Sequence, residues 1–98
     1  MKDLQGKVAV ITGGGSGIGR SLAHAFAAEG MKVVMADIET EPLEQAEAGL
    51  ADSSEALTVV CDVSDAAQVA ALRDAALERF GAVYAVCNNA GLAGGGPI

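Results

Sequence analysis

Four short apolar runs rich in β-branched residues recur along the chain: KVAVIT (7–12), KVVMAD (32–37), LTVVCDV (57–63) and AVYAVCN (82–88). They are continuous rather than strictly alternating, which is the pattern of strands buried on both faces of a sheet. Segments of helical periodicity lie between them. Residues 18–29 carry Ile18, Leu22, Ala25 and Phe26 as one apolar stripe, with Gly30 where a C-terminal cap belongs. Thr40 is placed to cap a second helix that has Glu41 and Pro42 in its first turn and Leu43, Ala46 and Leu50 on its inner face. Ser64 and Asp65 open a third, with Val69, Leu72, Ala76 and Phe80 facing inward and Gly81 at its end. Residues 51–56 and 89–98 read as loop.

Strand–helix–strand units of this kind form right-handed crossovers, which give a parallel sheet covered by helices on both faces. The expected architecture is α/β, a Rossmann-like doubly wound parallel sheet, incomplete at four strands in the order 3-2-1-4. That order puts Cys61 and Cys87 on opposite edges, about 14 Å apart at ~4.8 Å per strand. A disulfide needs Cα atoms within about 7 Å, so both are expected to be buried free thiols.

The loop after the first strand, in ITGGGSGIGRS (11–21), carries two superimposed phosphate patterns. Gly14 to Ser21 spells G-x-x-x-x-G-R-S, one residue from the P-loop G-x-x-x-x-G-K-[ST]; Thr12 to Gly19 spells T-G-x-x-x-G-x-G. Both place a helix N-terminus, with its free amides and positive dipole end, at the carboxyl edge of the sheet. Arg20 stands where a P-loop requires a compact lysine. Asp37, 18 residues beyond Gly19, closes the second strand where a dinucleotide site needs an acceptor for ribose hydroxyls. NNAG (88–91) ends the fourth strand, for which a phosphohydrolase has no use. These residues favour the dinucleotide.

With TGGGSGIG at 12–19, DV at 62–63 and NNAG at 88–91 on three strand ends, the chain resembles the short-chain dehydrogenase/reductase family along its whole length. The resemblance implies that Gly13, Gly17 and Gly19 form the turn beneath a pyrophosphate, with Ser16 and the Ile18 amide donating to it. Asp37 would hold the adenosine ribose, Asp62 the adenine amino group, and Val63 would lie beside the ring. Asn89, Ala90 and Gly91 would line the ribose and pyrophosphate side of the cofactor, while Asn88 ties the fourth strand to its neighbours. NAD is expected over NADP, because the Asp37 carboxylate repels a 2′-phosphate and neither Ser16 nor Ile38 is basic. The alternative role for Asp62 is a strand-end cap.

The family's chemistry is hydride transfer between nicotinamide and a carbonyl or alcohol carbon, with a Tyr-x-x-x-Lys pair and a serine handling the proton. No such pair occurs here: the sole tyrosine is Tyr84, with Asn88 four residues on, and it reads as core. The sole histidine, His24, reads as surface. The chain is therefore read as one NAD(P)-binding portion, residues 1–98, truncated after the fourth strand and inactive by itself. The fourth strand would then be an exposed edge. The complete protein is expected to be a homo-oligomer through segments absent here. A stand-alone nucleotide-binding module is the alternative, and a P-loop phosphohydrolase a further one.

Composition bounds the rest. With 51% hydrophobic and 19% charged residues the chain is a folded domain and not a disordered one. The net charge of −7 argues against nucleic acid. The acidic residues from Asp37 to Glu55, with no basic residue among them, read as a solvated helix surface. No run approaches the roughly 20 apolar residues of a membrane span, and MKDLQGK lacks a signal-peptide core. A cytoplasmic location is expected, with no metal.

Overall fold

The computed structural model describes residues 4–13, 15, 17–50 and 55–88. The elements follow in the order β1 (Val8–Thr12), α1 (Gly17–Ala28), β2 (Lys32–Asp37), α2 (Thr40–Ala48), β3 (Ala56–Val60), α3 (Ala66–Phe80) and β4 (Ala85–Asn88). All strand pairs are parallel and the sheet order is β3-β2-β1-β4, as the sequence predicts. Val10 of β1 pairs with Val34 on one side and Val86 on the other, and Val34 of β2 pairs with Val10 and Leu57, so β1 and β2 are the two inner strands.

The inner strands β1 and β2 are buried on both faces, which explains their continuous apolar runs. Val8, Val10, Val34 and Ala36 point to one face and pack with Leu72 and Ala76 of α3. Ile11, Val33 and Met35 point to the other and pack with Ala23 of α1 and with Leu43 and Ala46 of α2. Successive side chains of a strand alternate in direction, so one uninterrupted apolar run serves both layers.

Helix ends follow local chemistry. After α1 the Gly30 amide donates to the Ala27 carbonyl at 2.9 Å, and the Met31 amide to the Phe26 carbonyl at 3.1 Å. That is a Schellman closure, made possible by φ +83° at Gly30 and sealed by Phe26 packing with Met31. Asp65 caps α3, its Oδ1 accepting from the amides of Ala67 (2.9 Å) and Gln68 (3.4 Å), and Gly81 closes that helix at φ +84°.

Several details depart from the sequence reading. β3 ends at Val60, opposite Asp37 where β2 ends, and not at Val63. β1 begins at Val8, and β4 begins at Ala85, three residues later than expected. Thr40 is the first residue of α2, not its cap; Glu39 holds the cap position with no side-chain bond. On α1 the buried stripe is shifted by one residue. Gly19 and Ala23 face the sheet, where small side chains allow close approach, with Leu22, Phe26 and Ala27 beside them. Ile18 and Ala25 face outward. Val69 is 39% exposed on α3. Tyr84 is no core residue: it is 55% exposed ahead of β4, with the Lys7 ammonium 5.0 Å from its ring centre. His24 is half-buried, and its Nε2 is sealed against Gly49 without a hydrogen-bond partner among the described residues. Cys61 is buried just past β3, Cys87 is half-buried on β4, and both thiols are free.

Candidate functional site: the carboxyl edge of the sheet

Parallel strands deliver their C-terminal ends, and the loops that follow, to one edge of the sheet. At that edge β1 gives way to Gly13, whose φ of +66° only glycine adopts freely. The chain then turns into α1 at Gly17. β2 delivers Asp37, and the chain leaving β3 delivers Asp62 and Val63. Gly13, Asp37, Ile38, Cys61, Asp62 and Val63 together line a cavity of about 150 Å³. This is below the roughly 300–1,000 Å³ of a whole-ligand pocket and suits one planar ring.

Asp37 is held by two backbone amides. Its Oδ2 accepts from Gly15 at 3.1 Å and its Oδ1 from Glu39 at 3.2 Å. The first bond ties the glycine loop to β2. The second is a turn of the kind aspartate forms two residues ahead, and it starts α2 one residue early, at Thr40. Each carboxylate oxygen has a second lone pair for a hydroxyl donor.

Asp62 organises the connection to α3. Its Oδ1 accepts from the Ser64 hydroxyl at 2.6 Å and the Ser64 amide at 2.9 Å, while its own amide donates to Gln68 Oε1 at 2.8 Å. The hydroxyl bond first, then the amide bond, holds its carboxyl below the usual carboxylate range. Asp62 is therefore a turn former as well as a wall of the cavity. The early end of β3 follows from this: past the Cys61 amide, which donates to the Asp37 carbonyl at 2.8 Å, the backbone bends around Asp62 instead of pairing further.

At the start of α1, Gly17 and Ile18 are exposed and Gly19 is buried. A Cβ built on Gly17 meets no heavy atom within 4 Å, and its φ is not positive. Neither packing nor backbone geometry among the described residues calls for glycine there. On the far side, the Thr12 hydroxyl donates to Asn88 Oδ1 at 3.0 Å, fastening β1 to β4 as expected for Asn88. Ser16, Asn89, Ala90 and Gly91 lie outside the described residues.

Ile38 and Cys61 line the cavity although no motif pointed to them. Their signal was adjacency alone, since each is next to an expected acid. A larger cavity of about 530 Å³ lies between α3 and the face of β1 and β4, lined mainly by Val10, Val63, Val69, Leu72, Leu77 and Val86. It is largely apolar core surface left uncovered, with Val86 63% exposed; its polar lining is Arg73 and the mutually bonded Thr12 and Asn88.

The family model described as short chain dehydrogenase matches residues 7–98. The chain belongs to that family. Levodione reductase of Leifsonia aquatica is 48% identical over 91 residues, which cover 90% of this chain and 34% of the reductase. Among solved structures, a short chain dehydrogenase/reductase from Burkholderia phymatum in complex with NAD superimposes with a TM-score of 0.79. It is 47% identical and covers 88% of this chain and 31% of its own. A 3-ketoacyl-(acyl-carrier-protein) reductase from Brucella melitensis complexed with NADH gives 0.78 at 43% identity, over 86% of this chain and 34% of its own. The chain thus spans about a third of the length of the curated relatives it matches. Among the described residues no helix is long and apolar enough to cross a membrane.

Proposed function

We propose that this segment binds the dinucleotide of an NAD-dependent oxidoreductase that moves hydride between nicotinamide and a carbonyl or alcohol carbon. The observation that carries the reading is the meeting of Asp37, Asp62 and Gly13 around one small cavity, beside a helix N-terminus where Gly17 stands clear of the protein. A Cβ at Gly17 would project into space that the chain leaves open, which suits the close approach of a pyrophosphate. The NAD and NADH bound by the Burkholderia and Brucella relatives support the same choice of ligand.

In this reading the first turn of α1, with Gly17, Ile18 and Gly19, faces the pyrophosphate, together with Gly13 and Ser16. Asp37 accepts from the adenosine ribose. Ile38 and Val63 form apolar walls for the adenine, whose amino group donates to Asp62. Asn89, Ala90 and Gly91 extend the site towards the nicotinamide side. When bound, the cofactor supplies the hydride acceptor or donor. No Tyr-x-x-x-Lys pair occurs in these 98 residues, so the proton relay must come from elsewhere. A segment that binds dinucleotide without catalysis is the second reading, favoured by that same lack. Serine and Tyr-x-x-x-Lys following in the same reading frame would decide against it.

Preference for NAD rests on charge. At an effective dielectric constant of 20, a 2′-phosphate about 5 Å from the Asp37 carboxylate meets ~3 kcal/mol of repulsion per charge pair, and solvent screening lowers this to about 1–2 kcal/mol. Paired titrations of NAD and NADP should show roughly tenfold tighter binding of NAD, and Asp37→Ala should narrow the gap. Equal affinities for the wild type would refute the preference.

A further inference from the structure

We propose that Gly15 is a positioning residue for Asp37 and thereby sets the preference between the two dinucleotides, a role that depends on its contact with Pro42. The proposal rests on the nucleotide reading above. Gly15 occupies a variable position of the T-G-x-x-x-G-x-G loop, so the motif gives no reason for a glycine there. The geometry does. A Cβ on Gly15 would sit 2.5 Å from Pro42 Cβ, 3.0 Å from Asp37 Oδ2 and 3.1 Å from the Pro42 carbonyl carbon. Two of these neighbours belong to a proline ring and to the backbone of the first turn of α2, neither of which swings aside as a flexible side chain does.

The loop thus closes on α2 only because residue 15 has no side chain, and closure is what brings the Gly15 amide to Asp37 Oδ2 at 3.1 Å. With the Glu39 amide on Oδ1 at 3.2 Å, the carboxylate is pinned from two sides before any ligand arrives. A pinned acceptor keeps its remaining lone pairs aimed into the cavity, which favours two vicinal hydroxyls and opposes a phosphate. Pushing the loop outward removes one of the two amides and frees the carboxylate to rotate away.

The test uses the protein expressed from its whole reading frame, titrated with NAD and NADP. Gly15→Ala should weaken NAD binding about tenfold while changing NADP binding less than threefold. Gly15→Ala combined with Pro42→Gly, compared with Pro42→Gly alone, should recover part of that loss, because the 2.5 Å contact is removed while those of 3.0 and 3.1 Å remain. A Gly15→Ala protein that binds NAD like the wild type overturns the proposal. So does an equal loss for both cofactors that Pro42→Gly fails to relieve. A measurement independent of that variant is amide hydrogen exchange in Asp37→Ala, where the Gly15 amide should exchange faster; unchanged protection also overturns the proposal. Wild-type protein that binds neither dinucleotide would refute the functional reading itself, an outcome distinct from a neutral Gly15→Ala.

Discussion

Gly17→Ala should move folding stability and ligand affinity in opposite directions. Gly17 is the first residue of α1, is exposed, has no positive φ, and leaves 4 Å of clear space around an added Cβ. The protein alone therefore tolerates alanine, which restricts the unfolded chain and suits a helix better than glycine does. Such replacements stabilise by about 0.4–1 kcal/mol, and a first-turn position should lie near the lower end. For a unit of this size, ~0.5 kcal/mol raises Tm by about 2–4 °C. The same methyl group would stand where a pyrophosphate must approach the helix amides. Losing one charge-assisted hydrogen bond costs about 1.5–3 kcal/mol, so affinity for NAD should fall by roughly 10- to 100-fold. Calorimetric titration with NAD and a thermal melt without ligand, on the same samples, read the two effects separately. Unaltered NAD affinity in a variant with an unchanged or raised Tm would refute the placement of the pyrophosphate. A lowered Tm would show that Gly17 serves the fold after all.

Ile11→Ala, at a fully buried β1 position packed between α1 and α2, should cost about 2–5 kcal/mol in denaturant unfolding, and a cost below 1 kcal/mol would contradict the core described. Ser64→Ala removes the main cause of the lowered Asp62 pKa, so the NMR titration of that carboxyl should shift upward; no movement would show that the turn is not formed in solution. Because the folded-state value lies below the unfolded one, the stabilisation from Asp62 is complete above about pH 4 and lost as pH falls through the folded value, and the variant should lose less on acidification. Burial first, then the charges of Asp62 and Asp65, raises the Cys61 pKa, so iodoacetamide at pH 8 should label Cys87 well before Cys61 in folded protein. That contribution runs in the opposite direction, being present below the unfolded thiol value and lost as pH rises through the folded one.

Much of the site was legible because its chemistry is local. A strand followed by T-G-x-x-x-G-x-G needs only a few adjacent residues to define the turn and the helix start. Asp37 stands at the strand end that its apolar run delimits, while Asp62, read within the third run, lies just past the observed end of β3. Less legible were the residues recruited by adjacency, Ile38 and Cys61, since exposure to a cavity leaves no periodic signature. Asp62 was foreseen as a ligand contact with a cap as the alternative. Its bonds to Ser64 form the turn, and its place on the cavity wall leaves the contact open to test.

By itself the sequence determined the alternation of strands and helices, the strand order, the two-sided burial of β1 and β2, and the loop with its acid at the end of β2. These follow from short-range periodicity and from the few topologies that parallel strands allow. Tertiary structure alone decided where β3 stops, which side of α1 faces the sheet, and that Tyr84 lies outside the core. It also decided that Gly15, 22 residues from Asp37, donates to it across a contact with Pro42. The end of β3 is set by where β2 stops beside it together with the turn that Asp62 and Ser64 make, and a helix face by the shape of the sheet beneath it. Neither quantity is carried by the residues of one segment, so both emerge only when the segments meet.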